Sequence, residues 1–345
     1  LENDTEIFDL IILGRGAAAF SAAIKASELS SGGMRIAMVG VGPLGGTCVN
    51  VGCVPSKYLL EAANAVFRPR HPKVPGIEPA SVKFDFSELM KNLRSYVSHA
   101  RDTKYVRVLE NYGNVKLFTG LGRFIGRKTV MVSDSEGDRK AVLSASNILI
   151  ATGSRPSVPN IEGLKECGFQ TSDTIWGLEK LPKSVAIIGG GAIGLELGQA
   201  LLYFGSDVTI IEALDSILPQ TEPEIGKSLK IHLENEGMKF MLKSRVGSVR
   251  TEEGMKLLDV VSHRGKGVLE VEEIFVANGR FRKLKNLDLN MAGMKNGSKG
   301  LDYNFKKYED LGQWDICSWR LCFKEHVSRD TCCPGGCGGC KQHVR

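Results

Sequence analysis

The sequence is short of aromatic side chains, which make up 7% of its 345 residues, and along most of its length it is shorter still of cysteine. So few large rings beside 40 glycines argue against a β-sandwich and suit α/β nucleotide-binding units. Only Cys48, Cys53 and Cys167 precede residue 317, and six more cysteines crowd residues 317–345. A secreted disulfide scaffold would not be distributed this way, so the two regions need separate explanations. No apolar run is long enough to span a membrane, and no charged-then-apolar leader precedes the first strand. A cytoplasmic location without a membrane partner is therefore expected. The net charge of +6 is modest, and no basic run is long enough to suggest a nucleic-acid groove. The length leaves room for two domains with sizeable cores.

What is present centres on Gly45 to Lys57, Gly-Gly-Thr-Cys-Val-Asn-Val-Gly-Cys-Val-Pro-Ser-Lys. Cys48 and Cys53 are four residues apart, with Gly45, Gly46 and Gly52 letting backbone approach closely. Such a pair at the start of a helix can close as a disulfide or open as two thiols. The positive end of a helix favours a thiolate, which suits a redox nucleophile.

Two strand–turn–helix units flank this stretch. In the first, Phe8 to Leu13 runs into Gly14-Arg-Gly16-Ala-Ala-Ala19 and an alanine-rich helix. Gly14 gives the turn, Gly16 admits a pyrophosphate, and Ala19 replaces the third glycine where a small residue lets the helix pack on the strand. The second unit runs from Ser184 to Ile188, turns through Gly189, Gly191 and Gly194, and continues as a helix and a strand ending in Glu212. That terminal acid would accept from ribose hydroxyls and repel a 2′-phosphate, which favours NADH and leaves NADPH possible through neighbouring cations. The first unit departs from this pattern, because Gly40 stands where the acid should be. Losing one such charge-assisted hydrogen bond would cost roughly 1.5–3 kcal/mol of cofactor affinity. Asn147 to Ile150 is an apolar strand entering Ala151-Thr152-Gly153, small residues suited to a close approach of backbone and cofactor. His71 and His99 lack partners at ligand spacing and are expected at the surface, with no metal centre.

On these residues, over roughly 7 to 300, the chain resembles the flavoprotein disulfide reductases. The cysteine stretch and first unit look most like the mercuric reductases, whereas Glu212 and its glycine turn look more like the lipoamide dehydrogenases. The resemblance implies an α/β fold of two Rossmann-like three-layer domains, the NAD domain inserted in the FAD domain. The expected boundaries are 1–155 for FAD, 156–278 for NAD(P) and 279–305 for an incomplete return to the first. It further implies FAD near Gly14, Gly16, Ala19, Gly46, Thr47, Lys57 and Ala151 to Gly153, and a dinucleotide near Gly189, Gly191, Gly194 and Glu212. Gly279 lies on the stretch resembling the strand that leaves the nucleotide domain. Cys48 would meet the substrate, Cys53 the flavin, and Lys57 would pair with Glu196. Electrons would pass from NAD(P)H through flavin to the cysteines and on to Hg(II). Dihydrolipoamide chemistry is one alternative, and an inactive remnant that only binds dinucleotide is another.

Past Gly300 the resemblance calls for a second FAD-contacting segment and a dimerisation domain, and neither is legible. The expectation is a family homodimer whose interface domain is absent here, with a disordered tail over 306–345. Cys332, Cys333, Cys337, Cys340 and His343 could form a zinc site, but no second spaced pair supports it. A reading frame shifted between Gly297 and Leu311 accounts for more. Ile-Tyr-Ala-Ala-Gly-Asp, written with codons chosen to fit and read two bases late, yields the Ile-Cys-Ser-Trp-Arg found at Ile316 to Arg320.

Overall fold

The structure, a computed structural model, describes residues 5–263 and 265–294. The cysteine-rich tail lies outside those residues, and with it the zinc reading, the shifted frame, the expected disorder and the end of the 279–305 segment. The chain forms two compact units. The first takes 5–46, 101–153 and 282–294 among the described residues, and the second takes Thr47–Ala100 and Ser154–Phe281.

In the first unit, β1 (Thr5–Leu13), β2 (Ile36–Gly40), β3 (Val115–Thr119), β4 (Leu121–Gly126), β5 (Thr129–Ser133) and β6 (Arg139–Ile150) make one sheet ordered β3-β2-β1-β6-β5-β4. The first four in that order run parallel, and β5 and β4 continue the sheet antiparallel. β1 is apolar on successive residues because both its faces are covered. Ile12 packs with Ala19 and Ala23 of the Ala17–Leu29 helix, whereas Ile11 packs with Phe124, Val130 and Leu287. Each such side chain, fully buried, contributes roughly 1.5–3 kcal/mol, so slipping β1 by one residue would be opposed on both faces. β3 and β4 are separate strands, because the chain breaks at Gly120. A Cβ there would lie 2.5 Å from the Ser133 carbonyl oxygen.

In the second unit the strands are β7 (Ser154–Pro156), β8 (Gln170–Thr171), β9 (Ser184–Ile188), β10 (Asp207–Ile211), β11 (Lys239–Met241), β12 (Ser244–Glu252), β13 (Met255–Ser262), β14 (Gly265–Val271), β15 (Glu273–Val276) and β16 (Arg280–Arg282). A parallel sheet ordered β11-β10-β9-β15-β8 forms the middle layer. Alternation along β9 sorts the two outer layers. Val185 and Ile187 face a helical layer that includes Leu59, Leu93, Leu197 and Leu201. Ala186 and Ile188 face the antiparallel β12-β13-β14 meander through Val249, Leu258 and Val260.

The compact grouping cuts across the linear boundaries read from the sequence. The Cys53–Arg70 and Phe86–Arg101 helices share a core with the Ala192–Phe204 helix, which places Thr47–Ala100 in the second unit. The Phe86–Arg101 helix continues through a π turn at Asp102–Val106 and closes with Arg107–Glu110. The border between units falls at the end of that first helix.

Candidate active site

The cysteine stretch folds as two consecutive helices, Gly46–Val51 and Cys53–Arg70, separated only by Gly52. A Cβ at Gly52 would stand 2.8 Å from the Thr47 carbonyl oxygen and 3.2 Å from Cys48 Cα. The bare backbone of Gly52 therefore lets the second helix begin directly against the residue carrying the first thiol. Cys48 and Cys53 are both exposed. The Val51 carbonyl accepts from Trp176 Nε1 at 3.2 Å, and the same indole N–H reaches the Ser172 carbonyl at 2.8 Å. Ser172 is held in turn by Arg280, whose guanidinium also donates to Asp173 and to Ser154. This chain of bonds fixes the end of the first cysteine helix, and no spacing in the sequence announces it.

One turn into the second helix, Lys57 Nζ lies 2.9 Å from Glu196 Oε2, an ion pair between groups 66% and 30% exposed. The pair unites two residues 139 positions apart in the chain, because the helices that carry them pack side by side. At that exposure its stability contribution is about 0–1 kcal/mol. Its interest lies in placing a cation and an anion one turn from Cys53.

The second unit's glycine turn separates two demands. Gly189 has φ +115°, and a Cβ on it would meet the Ala277 carbonyl oxygen at 2.7 Å, so the fold itself requires glycine. Gly191 has φ −81°, and among the described residues nothing lies within 4 Å of where a Cβ would stand, so its smallness serves no contact there. It also starts the Ala192–Phe204 helix with no side-chain cap, leaving first-turn N–H groups open to an anion. Gly194 is again structural, 2.4 Å from the Gly189 carbonyl oxygen by the same measure. Glu212 follows β10, its carboxylate accepting from Gly190 N–H at 2.7 Å and Leu214 N–H at 2.9 Å. These features fit a dinucleotide: an open phosphate cradle with a fixed carboxylate at the ribose corner.

The first unit repeats the turn. A Cβ on Gly14, with φ +143°, would sit 2.2 Å from the Ala151 carbonyl oxygen. Gly16 again starts a helix without a side-chain cap, and its nearest contact would be an ordinary 3.6 Å to Gly46 Cα. Ala19 is wholly buried, as a third small residue should be. Gly46 and Gly153 both have positive φ, and Gly279 of the second unit does as well. The phosphate cradle thus fits the pyrophosphate of FAD. The ribose corner differs: the missing acid at Gly40 is accompanied by Arg15, whose Cγ would lie 2.7 Å from a Cβ on Gly40. Glutamate at position 40 would therefore have to displace Arg15, a constraint invisible in the sequence. Among the described residues no group of three His, Cys, Asp or Glu side chains could hold a metal ion. His71 and His99 are exposed, and His71 stacks on Phe67 with ring centres 4.1 Å apart.

Residues 8–302 match the family model for pyridine nucleotide-disulphide oxidoreductases. The chain belongs to this family. It is 36% identical to a mercuric reductase of Lysinibacillus sphaericus over 84% of this chain and 51% of the relative. It is 34% identical to a leghemoglobin reductase of Vigna unguiculata over 83% and 54%. Among solved structures, the Cu(II) complex of the HOCl-induced flavoprotein disulfide reductase RclA from Escherichia coli superposes with a TM-score of 0.72 at 25% identity, covering 87% of this chain and 62% of that one. The chain spans about half the length of the curated relatives it matches. The family's fold, with parallel-sheet nucleotide units, is the fold described above. The family is FAD-dependent with NAD(P)H, and its named relatives are enzymes.

Proposed function

We propose that Cys48 and Cys53 are the redox pair of an NADH-dependent disulfide oxidoreductase whose substrate is Hg(II). The observation that carries this reading is their placement: two exposed cysteines on consecutive helices joined through Gly52, one turn from the Lys57–Glu196 pair. The relatives named mercuric reductase, at 31–36% identity, support the choice of substrate.

When bound, FAD supplies a two-electron relay between nicotinamide and the cysteines. Gly14, Gly16, Ala19, Gly46, Thr47, Ala151, Thr152 and Gly153 would hold it, and Gly189, Gly191, Gly194 and Glu212 would hold NADH. Assigning the FAD and NAD domains to 1–155 and 156–278, with Gly279 and the segment to 305 as the return, belongs to this proposal. So do a cytoplasmic location and a homodimer. Two electrons and two protons open the Cys48–Cys53 disulfide to two thiols. These release their protons on binding Hg(II), a soft ion suited to thiolate ligands. Passing two electrons to the metal yields Hg(0) and restores the disulfide. Cys48 is the thiol that meets substrate in this scheme, and Lys57 and Glu196 hold charge and protons beside Cys53.

A dinucleotide-binding remnant without turnover is the second reading, favoured by the absence of an acid at Gly40. Anaerobic addition of NADH to the purified chain separates the two. Visible flavin absorbance that bleaches, followed by NADH oxidation dependent on Hg(II) rather than lipoamide and lost in Cys48→Ser, is the expected result. A colourless protein that binds NADH without oxidising it would overturn the enzyme reading. Activity with lipoamide alone would overturn the substrate.

A further inference from the structure

The first cysteine helix ends on a carbonyl that its own continuation cannot satisfy. In an unbroken helix the Val51 carbonyl would accept from the N–H four residues on, but that residue is Pro55, which has none. The next carbonyl shows the contrast, since Gly52 accepts from Ser56 N–H at 3.0 Å. The donor for Val51 comes instead from Trp176, 125 positions away, through Nε1 at 3.2 Å.

Trp176 is held at both ends. Its indole N–H is shared with the Ser172 carbonyl at 2.8 Å, and its backbone carbonyl accepts from Arg94 Nη1 at 3.1 Å. The residue is 7% exposed and belongs to the core that contains Leu59, Leu93 and Leu197. Ser172 Oγ accepts from Arg280 Nη1 at 2.9 Å, and the same guanidinium donates to Asp173 and Ser154. The outlet of this held group towards the cysteines is one backbone carbonyl, and that carbonyl lies between Cys48 and Cys53.

We infer that Trp176 is a positioning residue for Cys48 and Cys53, setting their balance between disulfide and dithiol by pinning the Val51 carbonyl. The inference rests on reading the two cysteines as a redox pair. A disulfide tolerates only a narrow range of backbone separations. Backbone held in place keeps two sulfurs at a high effective concentration, so closing the S–S bond requires little further ordering. Without the indole N–H the turn at Gly52 loosens, closure has to order it, and the dithiol gains. The disulfide is then easier to reduce.

Equilibration of the full chain in anaerobic dithiothreitol buffers tests it. The reagent's two thiols close to a cyclic disulfide as the Cys48–Cys53 bond opens, so two electrons and two protons pass to the protein. Alkylation and mass spectrometry read the dithiol fraction, with neither flavin nor NADH required. Trp176→Phe keeps a ring and removes the N–H. It should favour the dithiol about tenfold, a midpoint potential less negative by about 30 mV. Ser172→Ala, which cuts the guanidinium from the turn below the indole, should act in the same direction by about threefold and serves if Trp176→Phe does not fold. Tyr203→Phe is the control. It removes a part-buried hydrogen bond from the same core, away from the backbone between the cysteines, and should leave the potential unchanged. Urea unfolding shows which variants are folded. A potential that is unchanged or more negative in the folded Trp176 or Ser172 variants, or that Tyr203→Phe moves equally, would overturn the positioning role while the redox pair stands. If Cys48 and Cys53 form no disulfide with each other in the unaltered chain, both readings fail.

Discussion

The same strand–turn–helix–strand unit occurs twice in this molecule, and the copies agree where backbone decides and differ where a ligand would. Gly14 and Gly189 share positive φ and the same near-collision with a carbonyl oxygen. Gly16 and Gly191 share a negative φ and open surroundings. At the ribose corner one copy has Arg15 and Gly40, the other Gly190 and Glu212. The helices after the turns differ too. Ala17–Leu29 buries three residues, whereas Ala192–Phe204 buries eight, because the Cys53–Arg70 and Phe86–Arg101 helices cover its outer side. A glycine pattern thus mixes residues that the fold requires with residues whose surroundings leave room for a side chain, and the space around each tells them apart.

The sharpest way to break the comparison is to fill the turns. Gly14→Ala and Gly189→Ala should each destabilise the protein by more than about 3 kcal/mol, since a methyl group is driven into a carbonyl at a strained φ. Gly14→Ala, with the closer approach, should be the worse. Gly16→Ala and Gly191→Ala should stay within about 0.5 kcal/mol of the unaltered chain in urea unfolding while losing nucleotide binding. Equal unfolding midpoints for all four would end the distinction between fold glycines and ligand glycines.

Next in size is Glu212→Ala. Removing the carboxylate strands two backbone N–H groups and takes away the proposed ribose contact. NADH affinity, followed by fluorescence, should fall by about ten- to a hundred-fold, equivalent to roughly 1.5–3 kcal/mol. The doubly covered helix of the second unit offers a smaller test. Tyr203 donates to Glu236 at 2.8 Å, and burial, with that carboxylate adding to it, pushes the phenol up to about 12. The protonated phenol is the native form, so its stabilisation is complete below pH 10 and disappears as pH rises towards 12. Tyr203→Phe should cost about 1 kcal/mol at neutral pH and flatten the loss of stability over that alkaline window. A variant that matches the unaltered chain at both pH values would contradict the buried bond. Smallest is Lys57→Met, expected to change unfolding free energy by about 0–1 kcal/mol because the pair with Glu196 is largely solvated. A larger loss would mean that the pair supports the fold.

Both glycine turns were legible in the sequence because local backbone demands write themselves as glycines at fixed spacing. The pairing of Lys57 with Glu196 was reached only through family resemblance, since nothing local links positions so far apart. Three features left no readable trace. Arg15 sits between two turn glycines and reads as filler until its side chain is seen crossing Gly40. Trp176 and Arg280 act through single bonds to backbone and hydroxyl groups, which have no periodicity. The grouping of Thr47–Ala100 with the second unit depends on which apolar helix faces meet, and amphipathic pattern gives a face without naming its partner.

The central claim is that Cys48 and Cys53 cycle between disulfide and dithiol. Alkylation mapped by mass spectrometry, before and after anaerobic NADH addition to the FAD-loaded chain, tests it most directly. The account predicts that both cysteines are protected before NADH and both are labelled after it, with Cys167 unchanged. Labelling of Cys48 and Cys53 that is the same before and after NADH would contradict it.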